Sequence, residues 1–340
     1  MSATRDAKVD LDVPLGLYPA STPPSPAAPP GPPSPRGDPP AFGKGEAKSY
    51  LVPAADILGF DFLLNQYDRH FIDSNTYGTD WSSFSENLHK GWVIDNDPFA
   101  VNQFGHPYQG SMYHGFARSA GLNYWQSLGY DFLGSALWET AGETDPPSFN
   151  DQITTSFGGS FLGEALFRMA SRVLERGGRH PGGGRELGAA IISPATGFNR
   201  LAFGERFDPL FPDRDPAVFT TTSLGARRNS KVTDLGVLGD IQKDGVIASF
   251  TMDYGLPGKP GYGYSRPFDY FHFEASTTSS LNAFPESVIS RGLLAGSETK
   301  SGESYRGVWG LYGSYEYMSP EVFSVSSTAL ALGTTGQWNI

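Results

Sequence analysis

The chain contains no cysteine. That excludes a disulfide scaffold and any thiolate metal site, so a metal here would have to be held by imidazole nitrogen and carboxylate oxygen. Basic residues are also few, 25 Lys and Arg against 36 Asp and Glu in 340 residues, for a net charge of −11. Phosphate backbones are bound by clustered Lys and Arg, and no basic stripe is present, so a nucleic-acid partner is not expected. The opening residues, MSATRDAKVDLDVPLG, show no basic region followed by an apolar run, and a secretory signal is therefore not expected in the chain as written. No window approaches the roughly 18 uninterrupted apolar residues of a simple spanning helix. A membrane β-barrel escapes that test, because it shows only short alternating segments.

Proline, serine and alanine dominate residues 1–48, which hold almost no large apolar side chain. Such a segment cannot bury enough surface to offset its conformational entropy, so it reads as a disordered or polyproline-like linker. A helical module is expected over 49–210. Its first helix is placed at Asp56–Tyr67 with Asp56 as N-cap, and further helices at Gly110–Leu122, at Asn123–Gly142, and from Ser148 or Asn150 to about Glu175. Gly159 and Gly163, four apart, offer a small face for close backbone approach. The glycine-rich stretch 176–185, with His180, is read as a loop. A short helix from Glu186 to Ile192 should stop at Pro194.

Residues 211–340 change period. Val246, Ala248, Phe250, Met252 and Tyr254 alternate with smaller or polar residues, and Phe271, Phe273, Trp309, Leu311, Tyr315 and Tyr317 continue the pattern. One face is aromatic and the other is rich in Ser, Thr and Gly. The expected fold is α+β: a compact helical module followed by an antiparallel β meander or barrel, of outer-membrane type and incomplete, with Gln337 and Trp338 opening another strand. A soluble lipid-binding barrel would show the same alternation.

Chemistry concentrates between Asp95 and Arg168. No Lys or Arg lies between Arg118 and Arg168, yet Asp131, Glu139, Glu143, Asp145, Asp151 and Glu164 do. Acids on segments apolar enough to be buried must be protonated, hydrogen-bonded, metal-bound or turned to water. His106 and His114 are eight apart, about two helical turns, and could share a face only if the segment between them were fully helical, which Pro107 argues against at its start. Glu139 and Glu143 in WETAGE are neighbours if that segment is helical, and their repulsion would raise a pKa. Asp151 suits a helix start, and Glu164 has Arg168 one turn on. The candidate catalytic set is His106, His114, Glu139, Glu143 and Asp151, with imidazole as base or ligand and carboxylate as orienter. Ser111 lacks a nucleophile-elbow sequence. The residues specify neither a cofactor nor a particular metal.

Three segments together, NLHKGWVIDNDPFAVNQFGHPYQGSMYHGFARSAGLNYWQS, GSALWETAGE and PPSFNDQITTSFGGSFLGEALFR, resemble the bacterial family catalogued as domain of unknown function 3943, over roughly residues 48–210. The resemblance implies an envelope protein of Gram-negative bacteria, a helical region followed by strands suited to an outer-membrane barrel, and no transferable activity. A fainter similarity, in residue order alone, is to the VanZ-like membrane proteins. The expectation is an uncharacterised protein of the cell outer membrane, in contact with membrane lipid. An envelope lipid or cell-wall enzyme and a soluble lipid-binding module are the alternatives, each with a small-molecule or lipid ligand.

Overall fold

The computed structural model describes residues 48–177, 181–203, 215–228, 244–279, 285–301, 304–320 and 323–338. The proline-rich segment up to residue 47, His180 and the 210/211 boundary lie outside the described residues. Helices occupy Leu51–Phe71 (α1), Trp81–His89 (α2), His106–Ser119 (α3), Tyr124–Leu137 (α4), Phe149–Ile153 (α5), Gly159–Glu175 (α6), Gly183–Ile192 (α7) and Pro194–Phe203 (α8). Strands follow at Val218–Arg228 (β1), Asp244–Tyr254 (β2), Phe271–Thr278 (β3), Ser287–Ser301 (β4), Tyr305–Met318 (β5) and Val325–Trp338 (β6). The fold is α+β.

Several boundaries differ from the sequence expectation for local reasons. Pro53 sits in the first turn of α1, where a missing N–H costs nothing, so the helix opens five residues before Asp56, and Asp56 lies inside it rather than at its cap. Pro107 directly follows the π-helical turn Val101–Gly105, and the Gln103 carbonyl that its missing N–H leaves free accepts from Tyr315 Oη at 2.7 Å, so the helix runs on and both histidines stand on it. Pro194 ends α7 but immediately begins α8. The starts of α4 and α5 follow their capping chemistry: Asn123 Oδ1 accepts from the Gln126 amide at 3.0 Å while Gln126 Oε1 accepts from the Asn123 amide at 3.1 Å, and Ser148 caps α5.

Three π-helical turns interrupt the regular helices, at Val101–Gly105, Trp138–Gly142 and Thr154–Gly158. Between them α3 and α6 cross at backbone contact. A Cβ added to Gly159 would lie 2.6 Å from the Gly110 Cα, and one on Gly163 would lie 2.7 Å from the His114 Cβ. The glycine pair of α6 thus does what its spacing predicts.

The six strands pair in sequential antiparallel order, β1 to β6. The described strands do not close a barrel: β1 and β6 are both edges. Gln337 and Trp338 belong to the end of β6 rather than to the start of another strand, because β6 pairs with β5 along its whole length. One row across the sheet reads Val218, Tyr254, Phe271, Gly292, Gly313, Leu330. Its two central glycines seat aromatic rings, Phe268 over Gly292 and Phe161 of α6 over Gly313. Around them Leu162, Ala165 and Met169 of α6 meet Tyr254, Phe273, Val288, Tyr315 and Tyr317, forming the main core. The aromatic face at this end of the sheet is covered by helices. The opposite face holds a second buried cluster, Leu293, Val308 and Tyr312 with Tyr270, covered by Leu256 and Tyr264 of the segment between β2 and β3, and elsewhere carries the Asp253–His272 pair at 2.9 Å and the Arg291–Glu316 pair at 2.7 Å.

Candidate functional site

α3 carries His106 and His114 to two different buried centres. Eight residues advance an α-helix by about 12 Å and turn it about 80° from alignment, so the two rings leave the helix at different levels and in different directions.

His114 is fully enclosed. Its Nδ1 lies 2.7 Å from Asp131 Oδ2 on α4, and its Nε2 3.2 Å from Glu164 Oε2 on α6. Glu164 also accepts from Arg118 Nε at 2.6 Å and from Arg168 Nε at 2.8 Å. Arg168 continues to Asp269 Oδ1 at 3.2 Å, in the loop before β3, and Arg118 donates to the Leu122 carbonyl. Burial alone would raise the Glu164 pKa, but the two guanidinium groups outweigh it and hold the carboxyl well below its usual range. Burial alone would lower His114, and the Asp131 carboxylate reverses that, raising it. Both nitrogens are engaged with carboxylates, which suits an imidazolium donating twice. With both ring nitrogens engaged and no exposed surface, the ring has no site for a substrate, and the arrangement is that of a brace tying α3, α4 and α6 to the sheet.

The second centre gathers His106 at the start of α3, Glu139 in the π-helical turn that ends α4, and Asp151 in α5. One ligand atom from each lies within 4.8 Å of the others. Each residue is flanked by one of the π-helical turns: Val101–Gly105 delivers His106, Trp138–Gly142 contains Glu139, and Thr154–Gly158 follows Asp151. Such turns rotate side chains off the regular helical register and recur at functional sites.

The groups are held individually. The Ser148 amide donates to Glu139 Oε2 at 2.7 Å. Asp95 accepts from Asn102 Nδ2 at 2.8 Å and from Asn150 Nδ2 at 2.7 Å. His106 Nε2 stops 3.7 Å from Asp151 Oδ1, and its Nδ1 has no partner.

Burial pushes Glu139 up to about 9, with Glu143 adding to the shift. Asp151 is pushed up to about 8, mainly by burial and then by Asp95. Burial lowers His106 to about 4, so its imidazole is neutral. Glu143 is raised to about 7 by burial, against a hydrogen bond from Trp138 Nε1 at 2.6 Å. It does not sit one turn from Glu139 on a helix as its spacing suggested. The π-helical turn ends first and leaves Glu143 in extended backbone, on the rim with Asp95 and Asp97. No Lys or Arg forms an ion pair with Asp95, Glu139, Glu143 or Asp151 among the described residues. A neutral imidazole beside protonatable carboxyls can exchange a proton or hold a divalent cation.

Of the five expected residues, then, His106, Glu139 and Asp151 converge, Glu143 stands at their rim, and His114 belongs to the brace. Ser111 donates its hydroxyl to the Tyr108 carbonyl at 2.6 Å. Asp95 was missed by sequence reasoning. Its signal was the DNDP run that also carries Asp97, which reads as an exposed turn until Asn150 is brought beside it.

No curated protein and no solved structure matches the chain. Residues 91–195, the segment that contains both centres except for Asp269, match the model of the family described as a domain of unknown function, DUF3943.

Proposed function

We propose that the chain is a membrane-seated protein of the bacterial outer membrane, its helical module and the uncovered part of its sheet lying against lipid. The supporting observation is an inverted polarity. Arg118, Arg168, Glu164, Asp131 and His114 are enclosed, while α1 turns Leu58, Phe62 and Leu63 outward and α8 leaves Leu201 87 % exposed. The sheet repeats the pattern beyond the helices, where Trp309, Leu330, Leu332 and Trp338 are exposed on the same face that packs α6. Water-soluble surfaces seldom display so much contiguous apolar side chain, whereas a lipid-facing surface requires it. No helix among the described residues is long and apolar enough to cross a membrane. The helical contact is therefore interfacial, and the alternating strands are the elements suited to the bilayer.

Flotation of the full chain with phosphatidylethanolamine–phosphatidylglycerol vesicles tests this. The protein should rise with the vesicles, and the double variant Leu330→Glu, Leu332→Glu should leave a larger share at the bottom of the gradient. A chain that is monodisperse without detergent and stays below the vesicles would sink the proposal. If that soluble protein then takes up single fatty acids, it is a soluble lipid-binding module instead.

The neutral His106 beside Glu139 and Asp151 favours a second reading, an envelope lipid or cell-wall enzyme of hydrolase or transferase type. Release of fatty acid from the same vesicles by the wild type, and its loss in Glu139→Gln, is the expected result for a lipid hydrolase; no release removes that case.

A further inference from the structure

We propose that His106, Glu139 and Asp151 form a binding site for one divalent transition-metal cation per chain. The inference does not rest on membrane association. It begins with a satisfaction problem. His106 is 5 % exposed, its Nδ1 is buried without a hydrogen bond, and its Nε2 faces Asp151 Oδ1 from 3.7 Å. A buried imidazole normally donates from one nitrogen and accepts at the other, and here Nε2 is left with a carboxylate beyond hydrogen-bond reach. That distance is close to the separation of two ligands on a common ion: donors about 2.1 Å from a shared centre lie roughly 3 to 4 Å apart. Glu139 supplies the third donor, with ligand atoms of all three residues within 4.8 Å of one another.

The chemistry of the donors selects the class of ion. One imidazole and two carboxylates, without any thiolate in the chain, suit Zn²⁺, Mn²⁺ or Fe²⁺, while the nitrogen donor disfavours Mg²⁺ and Ca²⁺. The surroundings supply orientation and charge. Glu139 is fixed by the Ser148 amide at 2.7 Å, and Asn150 Nδ2 donates to both Asp95, at 2.7 Å, and Asp151 Oδ1, at 3.2 Å. No Lys or Arg among the described residues competes with a cation for these carboxylates. Asp95, Asp97 and Glu143, all half-buried, give the centre an acidic rim of the sign that attracts a cation.

The full chain, stripped with a chelator and then titrated with Zn²⁺ or Mn²⁺, should retain about one equivalent after gel filtration in excess Mg²⁺. Glu139→Gln and Asp151→Asn should each weaken retention at least ~10-fold. Asp145→Asn, an exposed acid in the following turn, should leave it unchanged. Pulsed electron paramagnetic resonance of the Mn²⁺ form reads the ligands directly: a coupled imidazole nitrogen is expected, and it should vanish in His106→Gln. Absence of a retained equivalent, equal retention by the ligand variants, or bound Mn²⁺ without nitrogen coupling would each overturn the site. Because the wild-type spectrum alone reports nitrogen ligation, the test survives a variant that does not fold.

Discussion

Asp61 shows how a single buried acid can set a pH response. On α1, it accepts a hydrogen bond from Tyr113 Oη at 2.5 Å through Oδ1, while Oδ2 has no partner. Burial raises its pKa from 3.8 to about 7, against the hydrogen bond from Tyr113. A raised carboxyl pKa means that the folded state binds the proton more tightly than the unfolded state. Its stabilising contribution is therefore complete below about pH 4 and is lost as the pH rises toward 7, at up to ~1.4 kcal/mol per pH unit. Asp61→Asn, which mimics the neutral form, should flatten that part of the profile and leave the variant more stable than wild type above pH 7. Urea denaturation of both proteins at half-unit pH steps isolates the effect as a difference, and parallel curves would refute it.

Among the elements, the crossing of α3 and α6 is the least tolerant of change. Gly159→Ala places a methyl group 2.6 Å from the Gly110 Cα, so the helices must separate, at a cost of ~1–3 kcal/mol. Gly129 on α4 is the internal control. A Cβ there meets nothing within 4 Å, so Gly129→Ala should stabilise by ~0.5–1 kcal/mol through helix propensity. Thermal denaturation of the two variants should move in opposite directions.

This crossing was legible in the sequence because a four-residue glycine spacing has one physical meaning on a helix. So was the alternation of β2, β3 and β5, since period two survives in any sheet. The π-helical turns were not legible. They add one residue to a turn without any composition signal, and each shift decides where Glu139, Glu143 or His106 points. The partition of the two histidines was hidden for a related reason: Pro107 looked like a break, but the π-helical turn before it and the Tyr315 hydroxyl on the Gln103 carbonyl let the helix run through it. An open sheet and a closed barrel share the same strand pattern, and only the pairing partners of β1 and β6 distinguish them.

Across the whole molecule, Glu164 links the helical layer to the sheet. It receives Arg118 and Arg168, and Arg168 reaches Asp269 beside β3. Ion pairs in such a place are poor sources of net stability, but removing one member leaves the others desolvated without its charge. Glu164→Gln should cost ~3–5 kcal/mol. Because the network spans both layers, unfolding should remain a single transition at lower denaturant concentration, followed by near-UV circular dichroism for the aromatic core and far-UV signal for the helices. Separate transitions would show that helices and sheet are held together by the core cluster around Phe161 alone.

α3 also has a mechanical meaning. It is one rod with a buried ring near each end, His106 in the acidic centre and His114 bound into the brace. A rod cannot slide or turn at one end only, so a displacement that draws His106 toward Glu139 and Asp151 is delivered to the joint where His114 meets Glu164. From there Arg168 carries it to the edge of β3. The acidic centre thus has a lever arm on the sheet, with α3 as the shaft.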